Sequence, residues 1–143
     1  MADLTVTAAS VVASASAVKG RGTAGESITA GQPVYIDTSD SNKLKKADAG
    51  AAAAARVAGI ALHAAAANQP LEYAIADPDF APGATLSLSA AGDAGLYFLS
   101  NTAGGLCPKS DLVSGMVPVL LLVARSASKA VLVHATADTA LTA

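Results

Sequence analysis

The sequence predicts an all-β protein, a small sandwich or barrel of about eight or nine short strands with at most one short helix and an extended N-terminal arm. Three observations carry that expectation. Short aliphatic or alternating runs recur along the chain, separated by clusters of Gly, Pro, Asn, Asp and Ser. Thr85-Leu86-Ser87-Leu88-Ser89 alternates polar and apolar residues without a break, the period of a strand with one buried face. A turn-then-strand phrase occurs twice, as Gly31-Gln32-Pro33-Val34 and as Asn68-Gln69-Pro70-Leu71. In both copies the first residue tolerates left-handed backbone angles, the proline fixes φ, and a strand follows at once.

Taken in order, residues 1–20 form the arm and residues 21–143 the β-rich domain. The arm holds Ala, Ser, Thr and Val with little charge. Leu4-Thr5-Val6-Thr7 alternates like a strand, but too few large side chains follow to anchor a core. The segment reads equally as an arm ordered against a neighbour or as an edge strand of its own domain. Lys19–Gly25 is read as a glycine-punctuated turn, since no Lys-Ser/Thr pair or helix start follows to make a phosphate loop. Val34–Asp37 and the strand around Leu44 make a hairpin about Thr38-Ser39-Asp40-Ser41-Asn42. Asp48 is placed to cap a short helix over Ala51–Ala55, because alanine is the strongest helix former. Val57–Leu62 and Leu71–Ala76 follow as strands, and Gly59 either ends the helix or marks a bulge in the first of them. Asp77–Gly83 carries two prolines and a glycine and reads as a rigid surface loop. Ala91–Gly95 turns the chain into the strand Leu96–Leu99, and Thr102–Gly105 turns it again. Val117–Val123, apolar on both faces, should lie centrally or at a subunit interface. Lys129–His134 is the last strand, joined to it by Arg125–Ser128.

Composition limits what this domain can do. Hydrophobic residues make up 52% of 143, but 36 of them are alanine, which removes little surface from water. Leu, Ile, Val and Phe contribute 15, 4, 12 and 2, enough for a fold yet a thin core for a monomer. Burial between subunits is the expected remedy, so a homo-oligomer or a partner-bound protein is predicted. Charged residues are 14% with a formal net of −2, and no basic face suits nucleic acid. No segment spans a bilayer: Met116–Ala124 is about half the roughly 20 residues required. The N-terminus begins without basic residues and carries Asp3, so no secretory signal is predicted. The single cysteine, Cys107, excludes an internal disulfide and fits a reducing cytosol.

The residue types that carry chemistry elsewhere have plainer readings here. His63 and His134 are far apart, neither beside a carboxylate or thiol, and read as strand-end histidines rather than ligands. Asp77 and Asp79 lack the glycine-spaced acidic series of a calcium loop. No serine sits in a nucleophile elbow. Glu26 and Glu72, the two glutamates, make a poor glycosidase pair. Cys107 precedes Pro108 in an apolar turn and reads as a quiet, buried thiol. The expectation is no enzyme, no metal and no cofactor.

Several phrases taken together resemble the small head proteins of tailed bacteriophages known as capsid decoration or cement proteins. They are Ile28-Thr29-Ala30-Gly31-Gln32-Pro33-Val34-Tyr35-Ile36-Asp37, Lys45-Lys46-Ala47-Asp48, Arg56-Val57-Ala58-Gly59-Ile60-Ala61-Leu62 and Asn68-Gln69-Pro70-Leu71, then Tyr97-Phe98-Leu99-Ser100-Asn101-Thr102-Ala103-Gly104-Gly105-Leu106 and Pro108-Lys109-Ser110-Asp111-Leu112-Val113-Ser114-Gly115. The likeness spans roughly residues 25–135 and leaves the arm outside it. It implies a virion structural protein, made in the host cytoplasm, that binds the outer face of the capsid. There it would bridge major capsid protein subunits as a homo-oligomer, a trimer by the resemblance, without catalysis, nucleic acid or membrane. The arm is the expected contact, through Leu4, Val6, Val11 and Val12. The alternative is a tail- or fibre-associated, adhesin-like β module, for which five Phe and Tyr in total are a poor endowment.

Overall fold

The computed structural model describes residues 3–86 and 95–136, and over them the chain is all-β. Ten strands pair into one curled antiparallel sheet, a half-barrel. They are β1 (Val11–Val12), β2 (Val18–Thr23), β3 (Pro33–Asp37), β4 (Lys43–Lys46), β5 (Val57–Ala61), β6 (Pro70–Pro82), β7 (Leu96–Leu99), β8 (Leu106–Pro108), β9 (Val119–Ala124) and β10 (Ala130–Thr136). Their order is β4-β3-β5-β6-β10-β9-β7-β8, with β1 and β2 also laid against β6. The expected alternation at 85–89 and turn at 91–95 fall largely outside the described residues, as does the side chain of His134.

β6 organises the sheet. Its first half pairs with β2 from Pro70 to Ala76 and, on the opposite edge, with β5 at Tyr73 and Ala74. Its second half pairs with β10 at Asp77 and Phe80 and with β1 at Ala81 and Pro82. The expected surface loop at 77–83 is therefore strand through Pro82. Proline lacks the N–H that a ladder needs, so strands accept it at their ends or at bulges. Pro70 and Pro82 sit at the two ends of β6. Pro78 sits in a bulge, where Pro78 and Asp79 together oppose the single Val131.

β2 is the second correction, because Lys19–Thr23 is strand rather than turn. Its glycines have a packing reason. A Cβ on Gly20 would stand 2.6 Å from the Tyr73 ring, and one on Gly22 would stand 3.0 Å from Leu44 Cδ1. Side chains from neighbouring strands fill the space that β2 leaves empty.

Ala51–Ala55 makes no helix. It is a run of turns with one helix-like bond, Ala55 N–H to the Ala51 carbonyl at 2.9 Å. Five alanines are too few to offset helix nucleation. Asp48 instead accepts the Gly50 N–H at 2.7 Å, closing a local turn. Among the described residues the helical geometry is confined to single 3₁₀ turns at Ala8–Ser10 and Lys109–Asp111. Leu4–Thr7 forms no strand, and Cys107 lies in β8 opposite Phe98 rather than in a turn.

The Gln-Pro phrase is one turn used twice. Gly31 and Asn68 both have positive φ, 89° and 71°. In each copy the glutamine side-chain Oε1 reaches back three residues to accept a backbone N–H, Gln32 from Thr29 at 3.0 Å and Gln69 from Ala66 at 2.9 Å. The β3–β4 hairpin also forms as expected, with Val34 opposite Lys46 and Asp37 opposite Lys43.

Two cores share the central strands. The smaller one, Ile28, Val34, Leu44, Leu71 and Tyr73 with small residues between them, fills the curl of β2–β6. The curl tightens where Ala24 bridges Leu44, so that β2 meets β4. The larger core gathers Ile60, Phe80, Leu99, Leu106, Leu121, Leu122 and Leu132. β9 lies between β10 and β7, the interior position its two apolar faces called for.

Gly59 marks where these layers approach most closely, beside a bulge in β5. A Cβ there would run into the Ala74 carbonyl and stand 2.7 Å from Tyr73 Cδ2. Gly59→Ala is expected to destabilise the fold by about 1–3 kcal/mol through overpacking. Urea denaturation checks this, and an unchanged midpoint would contradict it.

Candidate functional site

The N-terminal segment is spent largely on its own body. Leu4 donates its N–H to the Leu106 carbonyl at 2.8 Å, and Thr7 donates to the Gly83 carbonyl at 2.7 Å. Leu4 and Val6 are half-buried against the larger core, and Val11 belongs to it. Val6 and Val11 close on Gly31, whose φ of +89° and missing side chain let them in. Of the four expected contact residues, Val12 alone faces solvent, at 54% exposure. Val18, at 56%, is the other exposed valine of this segment and was not singled out in the sequence. A valine's exposure depends on where its strand is laid, which composition does not report.

Val12 and Val18 flank a connection, Ala13–Ala17, that is pinned to β6 by one carboxylate. Asp77 accepts the Ser14 N–H at 2.7 Å, the Ser14 hydroxyl, and the Asp79 N–H at 3.0 Å. Arg125 Nη1 donates to the neighbouring Pro78 carbonyl at 2.9 Å. The bulge thus has acceptors and donors where the ladder lapses. Burial pushes the Asp77 carboxyl up, but the Ser14 and Asp79 hydrogen bonds and the charge of Lys129 outweigh it. The result lies below the usual carboxylate range. In sequence Asp77 reads as a turn residue, since nothing local links it to Ser14, 63 positions away.

The remaining titratable groups are occupied in structural ways. Ser39 and Lys45 hold the Asp37 carboxyl down at about 2, and Asp37 and Asp40 in turn raise Lys45 above the usual lysine range. His63 uses both ring nitrogens: Glu72 N–H donates to Nε2 at 3.0 Å, and Nδ1 lies 3.0 Å from the Ala64 carbonyl. That arrangement makes Nδ1 the protonated nitrogen and leaves no lone pair for a metal. Burial, reinforced by Asp3 and Asp111, pushes the Cys107 thiol up to about 12. A thiol so shifted is no nucleophile at neutral pH. It lines an open recess of about 500 Å³ together with Asp3, Ser100, Asn101 and Met116. Ser100 donates to Asp3 there at 2.8 Å. Among the described residues no group of three or more His, Cys, Asp or Glu could hold a metal ion. No helix among them is long and apolar enough to cross a membrane.

No protein-family model, curated protein or solved structure matches the chain. The site therefore rests on geometry, and its most distinctive part is the rim made by β1, the pinned connection and β2.

Asp77 makes the rim sensitive to acid. A depressed carboxylate contributes stability that is complete above the unfolded pKa of about 3.9 and lost as pH falls through the lower folded value. Asp77→Ala should cost about 1–3 kcal/mol at neutral pH by stranding the Ser14 and Asp79 donors. Asp77→Asn should flatten the acid limb of the stability profile. A thermal melt series from pH 2 to pH 7, with ~0.5 pH steps, reads both effects; an acid limb identical to the parent's would refute the role.

Proposed function

We propose that the protein is a virion structural protein that binds the outer surface of a phage head and stabilises the lattice of its major capsid protein. What carries this reading is the resemblance of an ordered set of phrases in the chain to those of capsid decoration proteins. Two of those phrases fold as the same Gln-supported turn, so they are structural units of this chain rather than loose strings of turn residues. The character of the surface adds weight. Exposed aliphatics at Val12, Val18, Ile36 and Val113 and open recesses suit docking more than bond-making.

The mechanism is linkage. A ligand that binds the assembled, expanded lattice and not its dissociated subunits stabilises the shell by mass action. A homo-oligomer, a trimer in this proposal, multiplies each subunit's contact. Val12, rather than Leu4, Val6 or Val11, is the member of the N-terminal set free to touch capsid.

Mixing the purified protein with undecorated capsids should give saturable co-sedimentation and a higher particle melting temperature. Val12→Glu should weaken that binding about tenfold, the effect of placing a charge in an apolar contact worth ~1.4 kcal/mol. It should leave the protein's own melting point unchanged, since Val12 is exposed. A protein that stays monomeric at micromolar concentration and ignores capsids would overturn the proposal; binding to tails instead would favour the fibre-associated reading.

A further inference from the structure

We infer that the outer edge of β2 accepts an extended, acidic segment of another polypeptide as an added strand. The backbone directions on β2 follow from the bonds just beyond it. Ala24 donates to the Gln69 carbonyl at 2.8 Å and accepts from Asn68 N–H at 2.7 Å, so this even-numbered residue turns its peptide groups toward the β6 side. With the period of two, Gly20 and Gly22 do the same. Gly25, an odd-numbered residue, faces the other way and donates to the Leu44 carbonyl at 2.7 Å. Lys19 and Arg21 share its parity and so direct their N–H and C=O groups outward. Among the described residues no strand pairs with that side of Lys19 or Arg21.

An open edge invites pairing, and its side chains decide with what. Lys19 and Arg21 stand two apart on one face of β2, and the Arg21 side chain is 75% exposed with Glu72 at 3.8 Å. Self-pairing is disfavoured: an antiparallel match centred on Gly20 sets Lys19 of one copy against Arg21 of the other, with Cβ atoms about 5 Å apart. An incoming strand with carboxylates at i and i+2 meets both cations favourably. The other face of β2 is fixed in place by Tyr73 under Gly20 and Leu44 under Gly22, so the edge is a preset template. This inference concerns a peptide segment whatever protein carries it, so it and the capsid reading can fail separately.

The test uses the full-length, isotope-labelled protein and two short synthetic peptides of alternating sequence. They are identical except that one carries Glu and the other Lys at the alternate positions. The Glu peptide should shift the Lys19 and Arg21 amides and slow their hydrogen exchange, with smaller changes at Gly20 and Gly22. It should bind about tenfold more tightly than the Lys peptide at low salt and lose that margin as salt is raised. Arg21→Pro removes an outward N–H while sparing the β6 ladder, and should abolish the response. The pair Lys19→Glu and Arg21→Glu, which leaves the backbone intact, should reverse the peptide preference. Unmoved Lys19 and Arg21 amides at millimolar Glu peptide, an equal response to both peptides, or an unreversed preference in the Glu pair would overturn the inference.

Discussion

Four strands draw their pairing from β6, and that shared dependence sets the rest of the structure. A strand of 13 residues that must serve β2, β5, β10 and β1 in turn cannot remain a regular ribbon. The register slips against β2 near Ala76, and slips again against β10 at Pro78. At the second slip a proline can give nothing to the ladder, and the Asp77 carboxylate takes over by gathering the Ser14 and Asp79 donors. A buried acid so placed satisfies peptide groups that would otherwise be stranded, and the same contact fixes the course of the N-terminal segment.

Small residues make this sharing possible. Ala24, Ala47, Ala49, Ala55, Ala61, Ala74 and Ala130 are fully buried, and each removes little surface from water. They permit close approach instead, as Gly59 does under Tyr73 and the Ala74 carbonyl. The large side chains are then concentrated in two clusters on either side of the central strands, with Phe80 and a set of leucines in one and Ile28, Leu44 and Leu71 in the other. Chain segments far apart in sequence are tied across this arrangement by backbone bonds, such as Ala49 N–H to the Ser100 carbonyl at 3.0 Å.

The rim of β1 and β2 is where internal economy ends and an outward surface begins. Val11 is consumed by the core while Val12 and Val18 are left outside, and the charges of Lys19 and Arg21 follow along the same strand. Pairing, hydrogen bonding and close packing absorb His63, Asp77 and Cys107, three of the groups that first suggest chemistry. Val12, Val18, Lys19 and Arg21 are among the side chains that this rim turns to solvent.

The sequence alone determined the all-β class, the β3–β4 hairpin, the strands around Val57, Leu96 and Val119, and the repeated Gln-Pro turn. Each rests on local chemistry: alternation, φ-fixing prolines, and residues that tolerate left-handed angles. Tertiary structure decided the remainder. Asp77–Pro82 looked like a loop because proline and aspartate disfavour strands, and a partner strand with a bulge overrode that preference. Lys19–Thr23 looked like a turn because glycine carries no β signal, whereas Tyr73 and Leu44, brought from other strands, supply the side chains it lacks. Val12 was legible as apolar, but its exposure was not. Which face a residue turns to solvent is fixed by register against β6, and register is a relation between distant segments that no single stretch of sequence contains.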